Sequence, residues 1–383
     1  MARRGKIKEL NSMDETFMRN SEFVTDSQGE ANSVALPGFS DTLLDDQISN
    51  FFKSDVSMFE RKLQDMDSRL KSKGSGNIRI TKERLLLEKY CDEIMLNGEK
   101  LLTRVNNRKT AKQVKQCFRK MISHWISKNP FINRGLLKPR GYPGDYMMMQ
   151  MGYDNAVIKG ASGLNSELDR ICYKRYQAIP RRKDKLKEVL RDLLEKPNQA
   201  KHLKILTLGG GPCREWLELD AERRKKWGEQ RVELTYLDQD DEATEFSRRH
   251  LIRNHLVFAV EYRNESLLSF IRSSAWESQY KKYDLVYILG VGDYLGDSFL
   301  TNVIVQGLNL IKDSGKFEIT QKDRMRFPFT FLDWFCDWAF VRRNKVEFNR
   351  LLQEALSKSD GKFKCEIIRE DTGQIMFGII TRL

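Results

Sequence analysis

Residues 205–215 read Ile205-Leu206-Thr207-Leu208-Gly209-Gly210-Gly211-Pro212-Cys213-Arg214-Glu215, so a β-prone run leads directly into three glycines. Glycines at a turn between a strand and a helix let a ligand approach the backbone, and the amide donors there lie at the positive end of the next helix. A second β-prone run ends at Leu237-Asp238, where a carboxylate can accept hydrogen bonds from both hydroxyls of a ribose. Together these features indicate a site for a nucleoside cofactor.

Outward from this stretch, short β-branched and aromatic runs alternate with helical stretches. The runs are Leu203–Leu208, Val232–Leu237, Val257–Tyr262, Tyr283–Leu289, Phe317–Thr320, Cys365–Arg369 and Ile375–Thr381. Alternation of this kind is typical of βαβ units on a parallel sheet. Only residues 370–374 join the last two runs, which is too short for a crossover helix. We therefore expect an α/β fold with seven strands, the last two paired as an antiparallel hairpin.

The chain before this sheet has a different pattern. Residues 1–40 carry few large apolar side chains and no hydrophobic period, which predicts a loose N-terminal tail. From residue 41 the apolar residues follow helical spacing, as in the stripe Val114, Phe118, Met121 and Trp125. We predict a helical domain over residues 41–177, placed to cap an acceptor site, and an α/β domain over residues 178–383.

Several nucleotide-binding motifs are missing from the sequence. Arg214 stands where the third glycine of G-x-G-x-x-G would be, which disfavours pyrophosphate binding. No Tyr is followed four residues later by Lys, and no G-x-x-x-x-G-K-[ST] motif occurs, so short-chain dehydrogenases and P-loop proteins are disfavoured.

Composition narrows the remaining classes. The 383 residues carry 67 Lys+Arg against 54 Asp+Glu, a formal net charge of +13, which favours acidic partners such as nucleic acid, an anionic membrane surface, coenzyme A or an acyl carrier protein. The basic residues are interleaved with acids along the chain, and we interpret them as an ordinary basic surface.

The six cysteines form no C-x-x-C pair and the four histidines form no cluster, so we expect no metal site. The polar N-terminus and the lack of a long apolar run predict a cytoplasmic protein without a membrane span.

The glycine turn, the acid after the second strand and the terminal hairpin resemble class I S-adenosylmethionine-dependent methyltransferases over residues 178–383. The resemblance implies a Rossmann-like sheet with an antiparallel last strand and S-adenosylmethionine as the cofactor. It implies that Gly209 and Gly211 face the methionine part, Asp238 the ribose and Asn264-Glu265-Ser266 the adenine edge, with further contacts from Gly210, Pro212, Gln239 and Gly290. Thr207 and Cys213 depart from the family pattern, which holds an acid and a glycine there, so Glu215 becomes the candidate partner of the methionine ammonium.

A narrower resemblance covers residues 125–383. Its motifs are Lys138-Pro139-Arg140-Gly141-Tyr142-Pro143-Gly144-Asp145-Tyr146, the turn Gly211-Pro212-Cys213-Arg214-Glu215, Tyr283-Asp284-Leu285-Val286-Tyr287 running to Gly290-Val291-Gly292-Asp293-Tyr294-Leu295, and Asp337-Trp338 followed by Arg343. They look like the bacterial extracellular-factor type group, which makes 3-hydroxypalmitic acid methyl ester. The resemblance implies methylation of a small molecule, such as the carboxyl group of a fatty or hydroxy-fatty acid, with an acyl carrier or coenzyme A thioester as a further partner class.

Methyl transfer needs mainly alignment and exclusion of water. An ionised carboxylate acceptor needs no general base, and it favours an aromatic cavity with one cationic anchor, either Arg140 or Arg343. Tyr142, Tyr146, Asp293 and Tyr294 are candidates to line that cavity. A hydroxyl or amine acceptor would instead need a base, with Asp293 or Asp145 as candidates.

Each motif also has a purely structural interpretation. Residues 141–145 are compatible with a simple tight turn, and Asp337, Trp338 and Arg343 with an ordinary ion pair and a core side chain. An N- or O-methyltransferase of a polar metabolite and a cofactor-binding module without catalysis remain alternatives. A nucleic-acid methylase is disfavoured, because no [DNS]-P-P-[YFW] motif follows the fourth strand.

Overall fold

The computed structural model describes residues 42–71, 77–105, 107–154, 163–195, 202–223, 231–252 and 254–383. The chain forms two compact units. Unit 1 contains the described residues up to Pro143, together with Gly163–Asn165 and Trp334–Asp337, and unit 2 contains the other described residues. The tail predicted over residues 1–40 lies outside the described residues.

Unit 1 is built from helices. They are α1 (Thr42–Asn50), α2 (Ser57–Lys71), α3 (Asn77–Val105), α4 (Arg108–Met121), α5 (Ser123–Ile126) and α6 (Pro130–Leu137), and a π-helical segment (Phe51–Val56) joins α1 to α2. Asn caps explain two of the helix starts: the Asn107 side chain accepts from two backbone amides of α4, and the Asn129 side chain accepts from one of α6. The helical N-terminal region predicted from the sequence is confirmed.

The core of unit 1 is aromatic. The Trp334 ring centroid lies 6.1 Å from that of Phe51 and 5.2 Å from that of Phe118. Gly98 on α3 allows the indole to approach the helix closely, since a Cβ atom there would come within 2.2 Å of the ring. The Trp334 Nε1 donates to Glu99 Oε1 at 2.7 Å. A side chain from late in the sequence therefore completes the core of the N-terminal helices.

Unit 2 contains a seven-stranded sheet. Its strands are β1 (His202–Leu208), β2 (Arg231–Leu237), β3 (Val257–Arg263), β4 (Tyr283–Ile288), β5 (Ile311–Lys322), β6 (Phe363–Arg369) and β7 (Ile375–Arg382). Their order is β3-β2-β1-β4-β5-β7-β6. β1 to β5 pair in parallel, and β7 pairs antiparallel with both β5 and β6. The predicted α/β class, strand number and antiparallel last strand are confirmed.

The turn of the β6–β7 hairpin is organised by one buried acid. The Glu370 carboxylate accepts from the backbone N–H groups of Thr372 at 2.6 Å, Gln374 at 2.8 Å and Ile375 at 2.9 Å. Gly373 takes φ 70°, a left-handed conformation that costs glycine little. The carboxylate thus accepts hydrogen bonds from backbone amides of a hairpin turn that is too short to contain regular secondary structure.

The remaining helices are α7 (Tyr146–Asp154), α8 (Gly163–Tyr176), α9 (Ala178–Leu194), α10 (Arg214–Arg223), α11 (Asp241–Leu251), α12 (Leu267–Arg272), α13 (Asp297–Leu310), α14 (Phe329–Cys336) and α15 (Lys345–Ser357). Two 3-10 segments occupy Ser274–Gln279 and Val291–Tyr294. Over the described part of the chain, no helix combines the length and the apolar character that a membrane span requires.

Three buried polar side chains lie side by side on one of the two faces of the sheet. On one face, Phe317 and Ile319 of β5 belong to a buried apolar cluster with residues of α13 and α15. On the other face, the strand register places Thr207, Tyr287 and Glu318 side by side on β1, β4 and β5. Because successive strand residues point to opposite faces, these three polar side chains lie on the face opposite the apolar cluster.

Candidate functional site

The glycine turn after β1 lies at the carboxyl edge of the parallel strands. The backbone N–H groups of Gly209 and Gly210 donate to the Leu237 carbonyl at 2.8 and 3.1 Å, which ties the end of β1 to the end of β2. Gly209 and Gly211 take φ 69° and 54°. Cys213 also takes a left-handed φ of 48°. Three residues of this turn therefore have a left-handed backbone conformation.

Asp238 connects this turn to the loop after β2. Its Oδ2 accepts from Gly211 N and its Oδ1 from Asp240 N, both at 2.9 Å, and the Gln239 amide is a third backbone donor. Burial raises the pKa of this carboxyl group from 3.8 to about 6, and the backbone donors act in the opposite direction. A carboxylate has about four acceptor positions, so Asp238 keeps capacity for a further donor.

The loop after β3 closes the same edge. In the amide orientation that satisfies both of its polar atoms, the Asn264 nitrogen donates to the carbonyls of Gln239 and Asp238 at 3.0 and 3.1 Å. Glu265 pairs with Arg263 at 3.5 Å, and Ser266 caps α12. The structure thus brings the predicted cofactor residues of three loops together: the glycine turn, Asp238-Gln239 and Asn264.

Glu215, at the start of α10, is buried beside the glycine turn. Its Oε1 accepts from the Tyr287 hydroxyl at 2.6 Å, and that hydroxyl accepts from Trp216 Nε1 at 3.1 Å. Burial raises the pKa of Glu215, while the hydrogen bond from Tyr287 acts to lower it. Tyr287 of β4 therefore orients the carboxyl group of Glu215, the candidate partner of the methionine ammonium predicted from the sequence.

The second part of the site lies after β4. Gly290 takes φ 106° and leads into the 3-10 segment that carries Asp293 and Tyr294. Asp293 is completely buried, and its Oδ1 accepts from Lys322 N at 2.8 Å and Gln321 Nε2 at 3.1 Å. Its Oδ2 is paired with the Lys322 ammonium. Asp293 is therefore a carboxylate held by donors from the end of β5.

Three of the sequence motifs converge beside Tyr294. The Tyr294 hydroxyl accepts from Trp338 Nε1 at 2.6 Å. A Cβ atom on Gly144 would lie 2.3 Å from the Trp338 ring and 2.5 Å from that hydroxyl, so only glycine fits there. The Trp338 ring is flanked by Phe340 at 5.3 Å and Tyr176 at 5.7 Å between centroids. Residues from the three motifs thus build one aromatic wall in unit 2.

Asp145 and Tyr146 also belong to unit 2. Asp145 is buried, and its Oδ1 accepts from Met148 N at 2.9 Å in the first turn of α7. The Tyr146 ring lies 5.1 Å from Phe246 on α11, and its hydroxyl is 3.5 Å from Glu242. Tyr146 is therefore placed beside the helix that follows Asp238.

The two candidate anchors differ in their surroundings. Arg343 is buried, and its three nitrogens donate to Asp297, Gln321 and the carbonyls of Gly292 and Leu295 at 2.6–3.4 Å. Its hydrogen bonds are thus made within the protein. Arg140 and Tyr142 lie in unit 1.

Sequence reasoning did not identify Arg182 on α9 or Lys322 on β5. Both side chains are 2 % exposed and both face Asp293. A signal for Arg182 was present, because it occupies the buried stripe of α9 between Ile179 and Leu186. Lys322 lies two residues beyond the run Phe317–Thr320 predicted as a strand, and only the structure extends β5 to it.

No protein-family model and no curated protein matches this chain. Among solved structures, a "possible exported protein" from Bordetella parapertussis has a TM-score of 0.53 at 16% identity, over 70% of this chain and 87% of that one. The CurJ carbon methyltransferase has a TM-score of 0.44 at 10% identity, over 89% and 96% of the two chains. A Burkholderia thailandensis 1,6-didemethyltoxoflavin-N1-methyltransferase with bound S-adenosylhomocysteine has a TM-score of 0.36 at 14% identity, over 52% and 77%. At these identities the likeness concerns the fold.

Proposed function

We propose that this protein is an S-adenosylmethionine-dependent methyltransferase whose acceptor is a small-molecule acid, methylated on a carboxyl group. The observation that carries the proposal is the position of Asp238, which joins the glycine turn to the loop after β2 through Gly211 N. The Asn264 amide joins that loop to the end of β3. A buried carboxylate with unused acceptor capacity, at the carboxyl edge of adjacent parallel strands, suits the hydroxyls of a ribose.

The residues at this edge fit S-adenosylmethionine. A Cβ atom on Gly211 would have no neighbour within 4 Å, so the turn presents bare backbone to the space beside Asp238. In the proposed arrangement Gly209 and Gly211 hold the methionine part, Asp238 the ribose and Asn264-Glu265-Ser266 the adenine edge. The buried Glu215 is the proposed partner of the ammonium. When bound, the cofactor supplies an electrophilic methyl group on a sulfonium.

The protein's own contribution to such a reaction is to align the acceptor with the methyl group and to exclude water. A carboxylate acceptor is ionised at neutral pH, so no residue has to remove a proton from it. The aromatic wall of Tyr176, Tyr294, Trp338 and Phe340 is suited to excluding water beside the acceptor. A hydroxyl or amine acceptor would need a base, and the buried Asp145 is the candidate for that role.

The narrower proposal is that the acid is a fatty or hydroxy-fatty acid, free or delivered as an acyl carrier or coenzyme A thioester, in the cytoplasm. The resemblance to the extracellular-factor type enzymes supports it. A polar metabolite methylated on nitrogen or oxygen and a non-catalytic cofactor-binding module are the alternatives.

The first test is a transfer assay with methyl-labelled S-adenosylmethionine and a small-molecule extract. We expect label that enters organic solvent and is released by base, as a methyl ester would be. Base-stable label, or label that stays in water, would instead support the polar nitrogen or hydroxyl acceptor. A chain that binds S-adenosylhomocysteine but transfers no label to the extract or to a panel of fatty acids would support the non-catalytic module.

Asp238→Asn tests the cofactor site directly. We expect at least about a tenfold loss of S-adenosylhomocysteine affinity by calorimetry, because the amide loses charge-assisted bonds to the ribose. Asp241→Asn is the matched control, since Asp241 is exposed in the first turn of α11. For the native chain, affinity is expected to weaken as the pH falls through about 6 and to level off well above it, because the pKa of Asp238 is raised to about 6 and binding requires the ionised form. If the Asp238→Asn variant binds as tightly as the native protein at pH 7.5, the proposed site is contradicted.

A further inference from the structure

Two buried cations share one carboxylate at the carboxyl edge of β4 and β5. Arg182 Nη1 lies 3.8 Å from Asp293 Oδ2, and the Lys322 ammonium is paired with the same oxygen. All three side chains are at most 2 % exposed. Burial of an uncompensated charge is costly, and among these three side chains one carboxylate faces two cations, so this trio favours an additional anion. The buried carboxyl groups of Asp145 and Glu215 lie near the tyrosines around Arg182, but neither is paired with its guanidinium.

Two of the three nitrogens of Arg182 have unused hydrogen-bonding capacity. Over the described residues, neither its Nε nor its Nη1 has a hydrogen-bond partner. Its Nη2 reaches the Met149 sulfur at 3.7 Å, a weak acceptor, and the guanidinium also has a hydrogen bond with the Tyr153 side chain. Arg343, in contrast, uses all three nitrogens within the protein. Buried donors without partners are rare because each costs free energy, so those of Arg182 are expected to serve a ligand.

The position of the guanidinium relates it to the proposed cofactor edge. A Cβ atom on Gly290 would lie 2.3 Å from Arg182 Nη1, so the guanidinium rests against the backbone at which β4 ends. Ligands of open parallel sheets bind beyond the carboxyl ends of the strands, the edge that also carries Asp238. The neighbouring Tyr153, Tyr176 and Tyr294 are aromatic and neutral, and Tyr176 contacts the Met149 sulfur. The surroundings therefore suit a ligand with an apolar body and one anionic group.

We propose that Arg182, supported by Lys322, binds the carboxylate of the methyl acceptor, a carboxylic acid with an apolar body. Asp293 is then a positioning residue that holds the two cations together. The identification of the ligand as the methyl acceptor rests on the proposed methyltransferase function, whereas the anion site itself can be tested without methyl transfer.

The test compares binding of decanoic acid with binding of decanamide, its neutral analogue, to the full chain with and without saturating S-adenosylhomocysteine. We expect the native protein to bind the acid at least about tenfold more tightly than the amide. Arg182→Met should abolish this preference and leave S-adenosylhomocysteine affinity unchanged. Arg181→Met is the matched control, because Arg181 is the preceding residue of α9 and its side chain is 46 % exposed. That control should bind the acid as the native protein does.

Thermal unfolding separates a binding role from a structural one. Removing an arginine whose donors are unused should leave the melting temperature of Arg182→Met unchanged or raised, while a structural arginine would lower it. If Arg182→Met does not fold, Arg182→Lys retains the charge with fewer donors and should still weaken acid binding more than amide binding.

Two results would overturn the anion site: a native protein that binds acid and amide equally, or an acid preference that persists in Arg182→Met. Failure of the native protein to bind S-adenosylhomocysteine would instead refute the methyltransferase. An acid preference that depends on Arg182 would then still establish the anion site.

Discussion

At the scale of single residues, buried charges differ in how completely the protein satisfies them. Arg343 donates to four protein groups, whereas two nitrogens of Arg182 have no hydrogen-bond partner among the described residues. Glu318 on β5 is an acidic example: its side chain is buried, and neither oxygen accepts a hydrogen bond from a described residue. Burial raises the pKa of Glu318 from 4.5 to about 8, and Lys316 and Lys185 act in the opposite direction. At neutral pH this group is therefore expected to be protonated in the folded protein.

Glu318 should make stability depend on pH. Between about pH 4.5 and pH 8 the folded state holds a proton that the unfolded state has lost, so the free energy of unfolding should fall as pH rises. We expect Glu318→Gln to unfold at a higher urea concentration than the native protein at pH 8, with a smaller difference at pH 5. Urea titrations of both chains over this range measure the effect. A parallel pH dependence in the two chains would show that Glu318 is not the responsible group.

At the scale of elements, the turn between β1 and α10 contains two glycines with different constraints. Gly209 and Gly211 both take a left-handed backbone conformation, which costs other residues about 1–2 kcal/mol. A Cβ atom on Gly209 would also lie 2.4 Å from Val291 Cγ2, while one on Gly211 would meet nothing within 4 Å. The first glycine is thus required by packing as well as by conformation, and the second by conformation alone.

Alanine substitutions should separate these two constraints. Gly209→Ala is expected to lose about 2–5 kcal/mol of unfolding free energy, because overpacking adds to the strain, and Gly211→Ala about 1–2 kcal/mol. Chemical denaturation of the two variants provides the comparison, with Gly211→Ala as the matched control. Equal losses would indicate that Val291 moves aside at little cost.

At the scale of the whole molecule, chain order and compact units do not coincide. Trp334–Asp337 belong to unit 1, although they follow the first five strands of the unit 2 sheet. Within unit 1, the Asp337 carboxylate accepts from Arg119 Nη2 at 2.7 Å and is also paired with Lys138. This short segment therefore brings both an aromatic side chain and a charged one to the N-terminal helices.

Trp334 should be essential for the stability of unit 1. Because the side chain is fully buried, Trp334→Ala is expected to cost about 3–5 kcal/mol through lost burial and a cavity, with Trp334→Phe recovering part of the loss. Trp125→Ala, at a less buried position of the same unit, is the control and should cost less. Near-UV circular dichroism during denaturation reports the aromatic packing. Equal losses in the two alanine variants would contradict a central role for Trp334.

The sequence by itself determined the class of fold and the edge of the sheet that carries the proposed cofactor residues. Strand periodicity and turn chemistry are local properties, so the seven strands, the β6–β7 hairpin and the glycine turn followed by Asp238 could be predicted without knowledge of distant contacts. Gly144, Tyr294 and Trp338 come from three separate sequence motifs, and these three residues lie against one another in the structure.

Only the tertiary structure decided which charged side chains have partners and which core Trp334 joins. Nothing in the local sequence distinguishes the hydrogen bonding of Arg182 from that of Arg343. They differ in their hydrogen-bond partners, because packing brings the partners of Arg343, more than 20 residues away in the chain, to that side chain and not to Arg182. Asp293 likewise acquires Lys322 and Arg182 only when β4, β5 and α9 are assembled. Such pairings depend on which elements become neighbours in space, and no local pattern of residues encodes that choice.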